Sequence, residues 1–218
     1  SSSVDQYVLG WASRYQQNGG YFSFFEIMYI LRNLAKMSSA IDRCLELLNQ
    51  AATAAGVLNA DGSLVPAATS THHAPEPATA GAATAHPPKQ QGKFAKGFMA
   101  FKGAMYSAMK TVSRKKDPGS LDFTNDGRAA YLLLKGAMLK YKRNLADEEA
   151  LACLNEIATM QNVLIEKWYV PYSYYELCES YFYMGKPDIA AVMLKKCIAC
   201  KDFAWEDPLK MRIRVTAD

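Results

Sequence analysis

One stretch near the C-terminus constrains the fold more than any other part of the chain. Residues 171–199 place large and small side chains at the three- and four-residue spacing of two successive helices. The spaced positions are Tyr174, Leu177, Cys178, Tyr181, Gly185, Ala190, Leu194 and Cys197. Gly185 lets the chain turn between the helices, and Ala190 lets the second helix approach a neighbour closely. This stretch therefore predicts a helical hairpin.

Two weaker copies of the pattern lie upstream. The nearer copy contains Gly136, Leu139, Ala150, Leu154 and Ile157. The farther copy contains Phe24, Ile27, Met28, Leu31, Ala40, Cys44 and Leu47. Helical hairpins with small residues at these points are typical of tetratricopeptide repeats, and about three units are needed for a stable array. We predict an all-α fold, a tetratricopeptide-like solenoid of three helical hairpins, with helices over 4–17 and 203–215 beside them.

A different composition interrupts this pattern between residues 51 and 92. Alanine is the commonest residue there, and five prolines prevent a continuous helix. Too few large apolar side chains are present to offset the entropy of ordering, so we predict a disordered low-complexity insertion. The predicted organisation is an N-terminal helix and first hairpin in 1–50, this insertion, a basic helix in 93–116, and two hairpins with a tail in 117–218.

The net charge of +4 hides a local basic segment. Residues 93–116 contain seven basic and no acidic residues, and their apolar residues form one helical stripe. A basic amphipathic helix of this kind is typical of membrane-surface or calmodulin-target segments. The residues predicted to contact an anionic lipid surface are Lys93, Phe94, Lys96, Phe98, Phe101, Lys102, Met105, Lys110, Arg114, Lys115 and Lys116. The alternative is that the stripe packs on the solenoid. Nucleic acid is disfavoured as a partner because the aromatic residues do not alternate with the basic ones.

Sequence motifs for catalysis are not found. The chain has no glycine-rich phosphate loop, nucleophile elbow or zinc-protease helix, and its three histidines all lie in 51–92. We therefore expect neither an enzyme nor a bound cofactor or metal. Cys197 and Cys200 have the spacing of a redox pair, but Cys197 also occupies a core position of the repeat, so core packing is favoured over redox or zinc chemistry. An odd count of five cysteines favours a reducing compartment.

The concave face of a repeat array is formed by the first helix of each unit. By register, the predicted partner groove consists of Phe25, Tyr29, Arg32, Lys140, Tyr141, Tyr172, Tyr175, Glu179 and Tyr183. This aromatic face lacks the paired lysine and asparagine with which some repeats grip a C-terminal carboxylate. It would suit an apolar helix or an extended peptide. The alternative is that other helices of this chain fill it.

Short motifs in a fixed order give the chain a family resemblance. Among them are Leu132-Leu133-Leu134-Lys135-Gly136, Tyr169-Val170-Pro171, Tyr175-Glu176-Leu177 and Lys201-Asp202-Phe203. Over 127–213 the chain resembles the C-terminal part of the tetratricopeptide-repeat-39 and inclusion-body-clearance family, and over 14–50 it resembles the segment that precedes these repeats. It departs from that family in its long insertion and in its shorter length.

The resemblance implies a non-enzymatic adaptor, since family members are associated with lipid droplets, with clearance of aggregated protein or with degradation of regulatory proteins. We accordingly expect a cytoplasmic scaffold that binds another protein. The alternative is a peripheral protein of a membrane or lipid-droplet surface, anchored by residues 93–116. No apolar run reaches the length of a membrane span, and residues 1–5 do not have the pattern of a signal peptide, so neither is expected.

Overall fold

A computed structural model of the chain describes residues 20–66 and 123–217. Within these ranges the secondary structure is helical apart from a single β-bridge between Leu58 and Leu64. The elements are α1 (Ser23–Ile30), a 3₁₀ segment (Leu34–Ala40), α2 (Ile41–Ala54), α3 (Thr124–Lys142), α4 (Glu148–Thr159), α5 (Tyr169–Tyr183), α6 (Pro187–Ala199) and α7 (Glu206–Ala217). The predicted all-α class is confirmed for this part of the chain. The helices predicted over 4–17 and 93–116 lie outside the described residues.

Successive helices pack in a regular order. Helix α3 packs against α4, and α5 packs against α6, as two hairpins. Helix α4 also packs on α5, α2 packs on α3, and α3 contacts α5 directly. The apolar core runs through all of these contacts, with α3 and α5 at its centre.

Local sequence chemistry explains the turn between α5 and α6. Gly185 has a φ of +69°, a left-handed conformation that side chains with a Cβ rarely adopt. Its N–H donates to the carbonyl oxygen of Phe182 at 3.0 Å, and the N–H of Lys186 donates to that of Tyr181 at 2.9 Å. These two bonds form a Schellman motif that ends α5. Pro187 then occupies the first turn of α6, where its missing N–H has no cost.

The hairpin of α3 and α4 depends on a capping carboxylate and a close contact. The Asp147 carboxylate accepts a bond from the N–H of Ala150 at 2.9 Å and caps α4. A Cβ built on Gly136 would lie 3.0 Å from Cγ of Leu154. A larger residue at this position would require Leu154 to shift by a few tenths of an ångström.

The register predicted for α1 is wrong. Phe24, Ile27 and Leu31, which occupy repeat positions in the sequence pattern, are 44%, 49% and 61% exposed, whereas Phe25 and Tyr29 are buried. Both faces of this eight-residue helix are apolar, so periodicity could not decide which face turns inward. The buried face also contains Glu26, whose carboxylate accepts a 2.6 Å bond from the Tyr169 hydroxyl.

The disordered insertion predicted over 51–92 begins too early. Helix α2 continues to Ala54, and Val57 and Leu58 are buried in the core. Residues 57–65 form a hairpin-like loop in which the N–H of Val65 donates to the carbonyl oxygen of Val57 at 2.9 Å. The alanines at the end of α2 have high helix propensity, and two large apolar residues are enough to hold the loop. Residues 67–92 lie outside the described part.

Candidate functional site

The predicted partner groove is closed at its centre. Five of its nine residues are buried: Phe25, Tyr29, Lys140, Tyr172 and Tyr175. Helix α1 packs on α3 and contacts α5 through Tyr29 and Glu176, and Leu209 and Arg212 of α7 are buried at the same place. The prediction of an open groove is therefore wrong at these five positions, and the alternative, that helices of the same chain fill it, describes the structure. The remaining four positions are accessible, since Tyr141 and Glu179 are half-buried and Arg32 and Tyr183 are exposed.

A buried carboxylate, that of Glu176, organises the centre of this groove. Its Oε2 lies 2.6 Å from Nζ of Lys140, and its Oε1 accepts a 2.7 Å bond from the Tyr29 hydroxyl. The side chains of Lys140 and Glu176 are 0% and 1% exposed, so this ion pair is fully removed from water. Burial would raise the pKa of Glu176, but the charges of Lys140 and then Arg212 outweigh it and hold the pKa below its ordinary value.

Arg212 of α7 inserts into the same centre. Its Cζ lies 4.7 Å from the ring centroid of Tyr29 and 5.0 Å from that of Tyr172. Its Nη2 donates to the backbone carbonyls of Tyr29 at 2.5 Å and Ile30 at 3.0 Å, and its Nη1 lies 3.9 Å from Oε1 of Glu176. The two carbonyls lie at the C-terminal end of α1, where the helix dipole favours a cation. We call this set of rings, carbonyls and carboxylate the arginine cage.

A second carboxylate lies at the edge of the groove. Oε1 of Glu179 accepts a 2.5 Å bond from the Tyr175 hydroxyl, and its Oε2 lies 3.4 Å from Nζ of Lys140. Burial, and then the negative charge of Glu176, raise the pKa of Glu179 above its ordinary value. The charge of Glu176, and then burial, also raise the pKa of Tyr141. The groove thus contains one carboxyl group with a lowered pKa, Glu176, and one with a raised pKa, Glu179.

Glu176 and Arg212 are the two site residues that the sequence analysis did not identify. A signal for Glu176 was present, because it is the one charged residue in 169–178, a helical stretch that is apolar on every side. Such a helix is buried, so its carboxylate needs a buried partner. No comparable signal existed for Arg212, which lies in a short helix among exposed residues of both charges.

Cys197 lies in the last turn of α6, and Cys200 is the residue that caps the C-terminal end of this helix. Cys197 is 2% exposed, and burial raises the pKa of its thiol to about 12. Burial also raises the pKa of Cys200, whose Sγ contacts the carbonyl oxygen of Lys196 at 3.4 Å. The predicted core position of Cys197 is confirmed, and a thiol with this pKa is a poor nucleophile at neutral pH.

Residues 20–66 and 123–217 contain neither a metal-ligand cluster nor a helix that could span a membrane. No three His, Cys, Asp or Glu side chains there come together as metal ligands. None of the helices in these ranges has the length and apolarity to cross a membrane. The predicted lipid-contacting residues between Lys93 and Lys116 lie outside the described part, as do the three histidines.

Comparison with known proteins gives no relative: no family model matches the chain, and no curated protein or solved structure is similar to it. The function has to be inferred from the residues and their geometry.

Proposed function

We propose that this chain is a non-enzymatic adaptor whose hairpins form a tetratricopeptide-like array and bind a protein partner on the face of their first helices. The observation that carries the proposal is the packing order. Helix α4, the second helix of one hairpin, packs on α5, the first helix of the next, and the first helices α3 and α5 also touch. Helix α2, which precedes both hairpins, packs on α3. Repeat arrays built in this order present their first helices on one binding face. The resemblance of 127–213 to the tetratricopeptide-repeat-39 family supports the same reading.

The accessible part of that face gives the partner a place to bind. We call the four accessible groove residues, Arg32, Tyr141, Glu179 and Tyr183, the open rim. Tyr183 is 61% exposed and lies one helical turn beyond Glu179 on α5. Tyrosine and arginine are the side chains that contribute most often to binding energy at protein interfaces.

Comparative affinity capture tests the adaptor function. The rim variant Arg32→Ala with Tyr183→Ala changes two exposed side chains and should leave the free energy of unfolding nearly unchanged. The matched control is Val192→Ala, a 48% exposed residue on α6. We expect wild-type and control proteins, immobilised and incubated with cell extract, to retain a common set of proteins that the rim variant loses. Identical sets for all three would reject binding through the open rim.

A second candidate function is attachment to a membrane or lipid-droplet surface through residues 93–116. The observation that favours it is the apolar stripe beside seven basic residues with no acidic ones. Flotation with anionic and neutral liposomes, at low and high salt, tests it against a variant lacking 93–116. We expect salt-sensitive flotation with anionic liposomes that the deletion abolishes. Flotation that survives the deletion, or none at all, would reject this function.

A further inference from the structure

We propose that the arginine cage is a guanidinium-binding site with two alternative occupants: Arg212 of α7, and an arginine on an apolar helix of the partner protein. The inference rests on the proposed adaptor function for its second occupant. It identifies the chemistry of the partner segment, which the open rim leaves unspecified.

The cage provides aromatic, hydrogen-bonding and ionic contacts to a guanidinium. The rings of Tyr29 and Tyr172 lie 5.7 Å apart at an interplanar angle of 61° and both contact the planar group through their π-systems. The carbonyls of Tyr29 and Ile30 accept its N–H bonds, and Glu176 supplies the opposite charge. A lysine ammonium could donate to the two carbonyls, but it has no planar face to lie against both rings, so the ring contacts favour a guanidinium.

Most of the cage does not depend on Arg212 for its shape. Glu176 remains bonded to Lys140 and to Tyr29 through their own hydrogen bonds. The ring of Tyr172 is held by an edge contact with the buried Trp168, with ring centroids 5.4 Å apart. The site is therefore preorganised for a guanidinium that arrives from another molecule.

Helix α7, which carries Arg212, is attached to the rest of the protein through few buried side chains. Among its described side chains, Leu209 and Arg212 are the buried ones, whereas Met211 and Val215 are 58% and 66% exposed. The residues leading into it also store strain, because Asp202 and Trp205 have φ values of +58° and +66°. A tryptophan is rarely found in this left-handed backbone conformation. Release of α7 from the core would allow Trp205 to leave that conformation. The start of α7 is held by a hydrogen bond from the Tyr172 hydroxyl to the carbonyl oxygen of Trp205 at 2.9 Å and by packing of the partly buried Phe203 and Trp205 against the core.

The occupant present in the structure indicates the sequence of the competing one. In α7, Leu209 precedes the arginine by three residues and Ile213 follows it directly, so all three lie on one helical face. A partner helix with an arginine among leucine or isoleucine residues at this spacing would present the same surface.

Chemical rescue tests the cage without any partner. The full chain with Arg212→Ala is heated with and without ethylguanidinium, and unfolding is followed by circular dichroism. We expect millimolar ethylguanidinium to raise Tm by about 2–4 °C, and neither ethylammonium on this variant nor ethylguanidinium on wild-type protein to do so. Leu209→Ala is the matched control, since it loosens α7 while leaving the cage occupied. Equal shifts with both cations, or equal shifts in both variants, would overturn the proposal.

The rescue remains decisive where Arg212→Ala does not fold by itself. Refolding yield then replaces Tm as the readout, and ethylguanidinium must raise that yield more than ethylammonium does. A failure of both readouts overturns the guanidinium site. Because no partner is present, this outcome is independent of the affinity capture that tests the adaptor function.

Binding in trans tests the second occupant. A labelled peptide with the sequence of residues 203–218 is titrated into wild-type and Arg212→Ala full chains. We expect at least about tenfold tighter binding to the variant, whose cage is empty, and loss of that gain when the arginine of the peptide is replaced by lysine. Equal affinity of both chains for the peptide, or of the variant for both peptides, would overturn exchange of occupants at the cage.

Discussion

At the scale of residues, the buried charges of the groove depend on one another. Lys140 and Arg212 are both removed from water, and Glu176 is the carboxylate that contacts both cations. Burying such groups is unfavourable unless every charge has a partner. The removal of one partner is consequently more damaging than its number of contacts suggests.

Replacing Glu176 by glutamine should destabilise the protein by about 3–5 kcal/mol near neutral pH, because Arg212 loses this buried carboxylate and Lys140 keeps only the more distant Glu179 at 3.4 Å. The pKa of Glu176 is lowered in the folded state, so its contribution is present above the ordinary value of 4.5 and is lost as the pH falls through the folded value. The difference in free energy of unfolding between the variant and the wild-type protein should therefore become smaller at acidic pH. Urea unfolding across this pH range measures it.

The control for that experiment is Glu46→Gln, since Glu46 forms an exposed pair with Arg43. It should change the free energy of unfolding by no more than about 0.5 kcal/mol at any pH. An equal effect of the two substitutions would contradict the view that burial gives the Glu176 charge its importance.

Arg32 shows a different residue-scale effect, which comes from the backbone. It follows the C-cap of α1 with a φ of +56°, and the N–H of Asn33 donates to the carbonyl oxygen of Met28 at 2.8 Å. This is the Schellman position that glycine favours. Arg32→Gly should stabilise the protein by about 0.5–1 kcal/mol through relief of the left-handed conformation, while Arg32→Ala should not. Chemical unfolding gives the free energy of unfolding of both variants. A gain in Arg32→Gly alone would come from relief of backbone strain, whereas equal gains in both variants would come from loss of the arginine charge.

At the scale of elements, the hairpins were predictable and their partners were not. Gly136, Gly185 and Ala190 act at short sequence distance, so spacing identified the hairpins of α3–α4 and α5–α6. Helix α1 meets α5 through Tyr29 and Glu176, which are 147 positions apart in the chain. No periodicity within α1 reports on such a contact, and a helix apolar on both faces leaves its orientation to tertiary packing. The closed centre of the groove was missed for the same reason.

The contact between α3 and α4 can be tested at Gly136. Alanine there would place its Cβ 3.0 Å from Cγ of Leu154 and 3.3 Å from the carbonyl oxygen of Ala150. The backbone oxygen cannot yield easily, so we expect a net loss of about 1–2 kcal/mol despite the better helix propensity of alanine. Urea unfolding measures the loss. Adding Leu154→Ala should cost less in the Gly136→Ala background than in wild type, whereas additive effects would contradict the proposed clash.

At the scale of the whole molecule, two distant parts of the chain build one core. The described residues before 67 and after 122 belong to a single compact unit. The Tyr131 hydroxyl donates to Oδ1 of Asn49 at 2.9 Å, and the guanidinium of Arg128 donates to the carbonyl oxygen of Val65. These bonds join α3 to α2 and to the loop that follows it. We therefore expect the two parts to pack on each other without the connection between them.

Fragments 1–66 and 121–218, produced as separate chains, should consequently associate into a one-to-one complex that unfolds cooperatively. Leu48 is 0% exposed, and Leu48→Ala in the first fragment should weaken association by about 30-fold or more, since the loss of a buried leucine costs about 2–5 kcal/mol. Leu31→Ala, at a leucine that is 61% exposed, is the matched control and should leave the affinity within about twofold. Titration calorimetry measures both. Fragments that fail to associate would show that residues 67–120 help to specify the core, because they are absent from both chains.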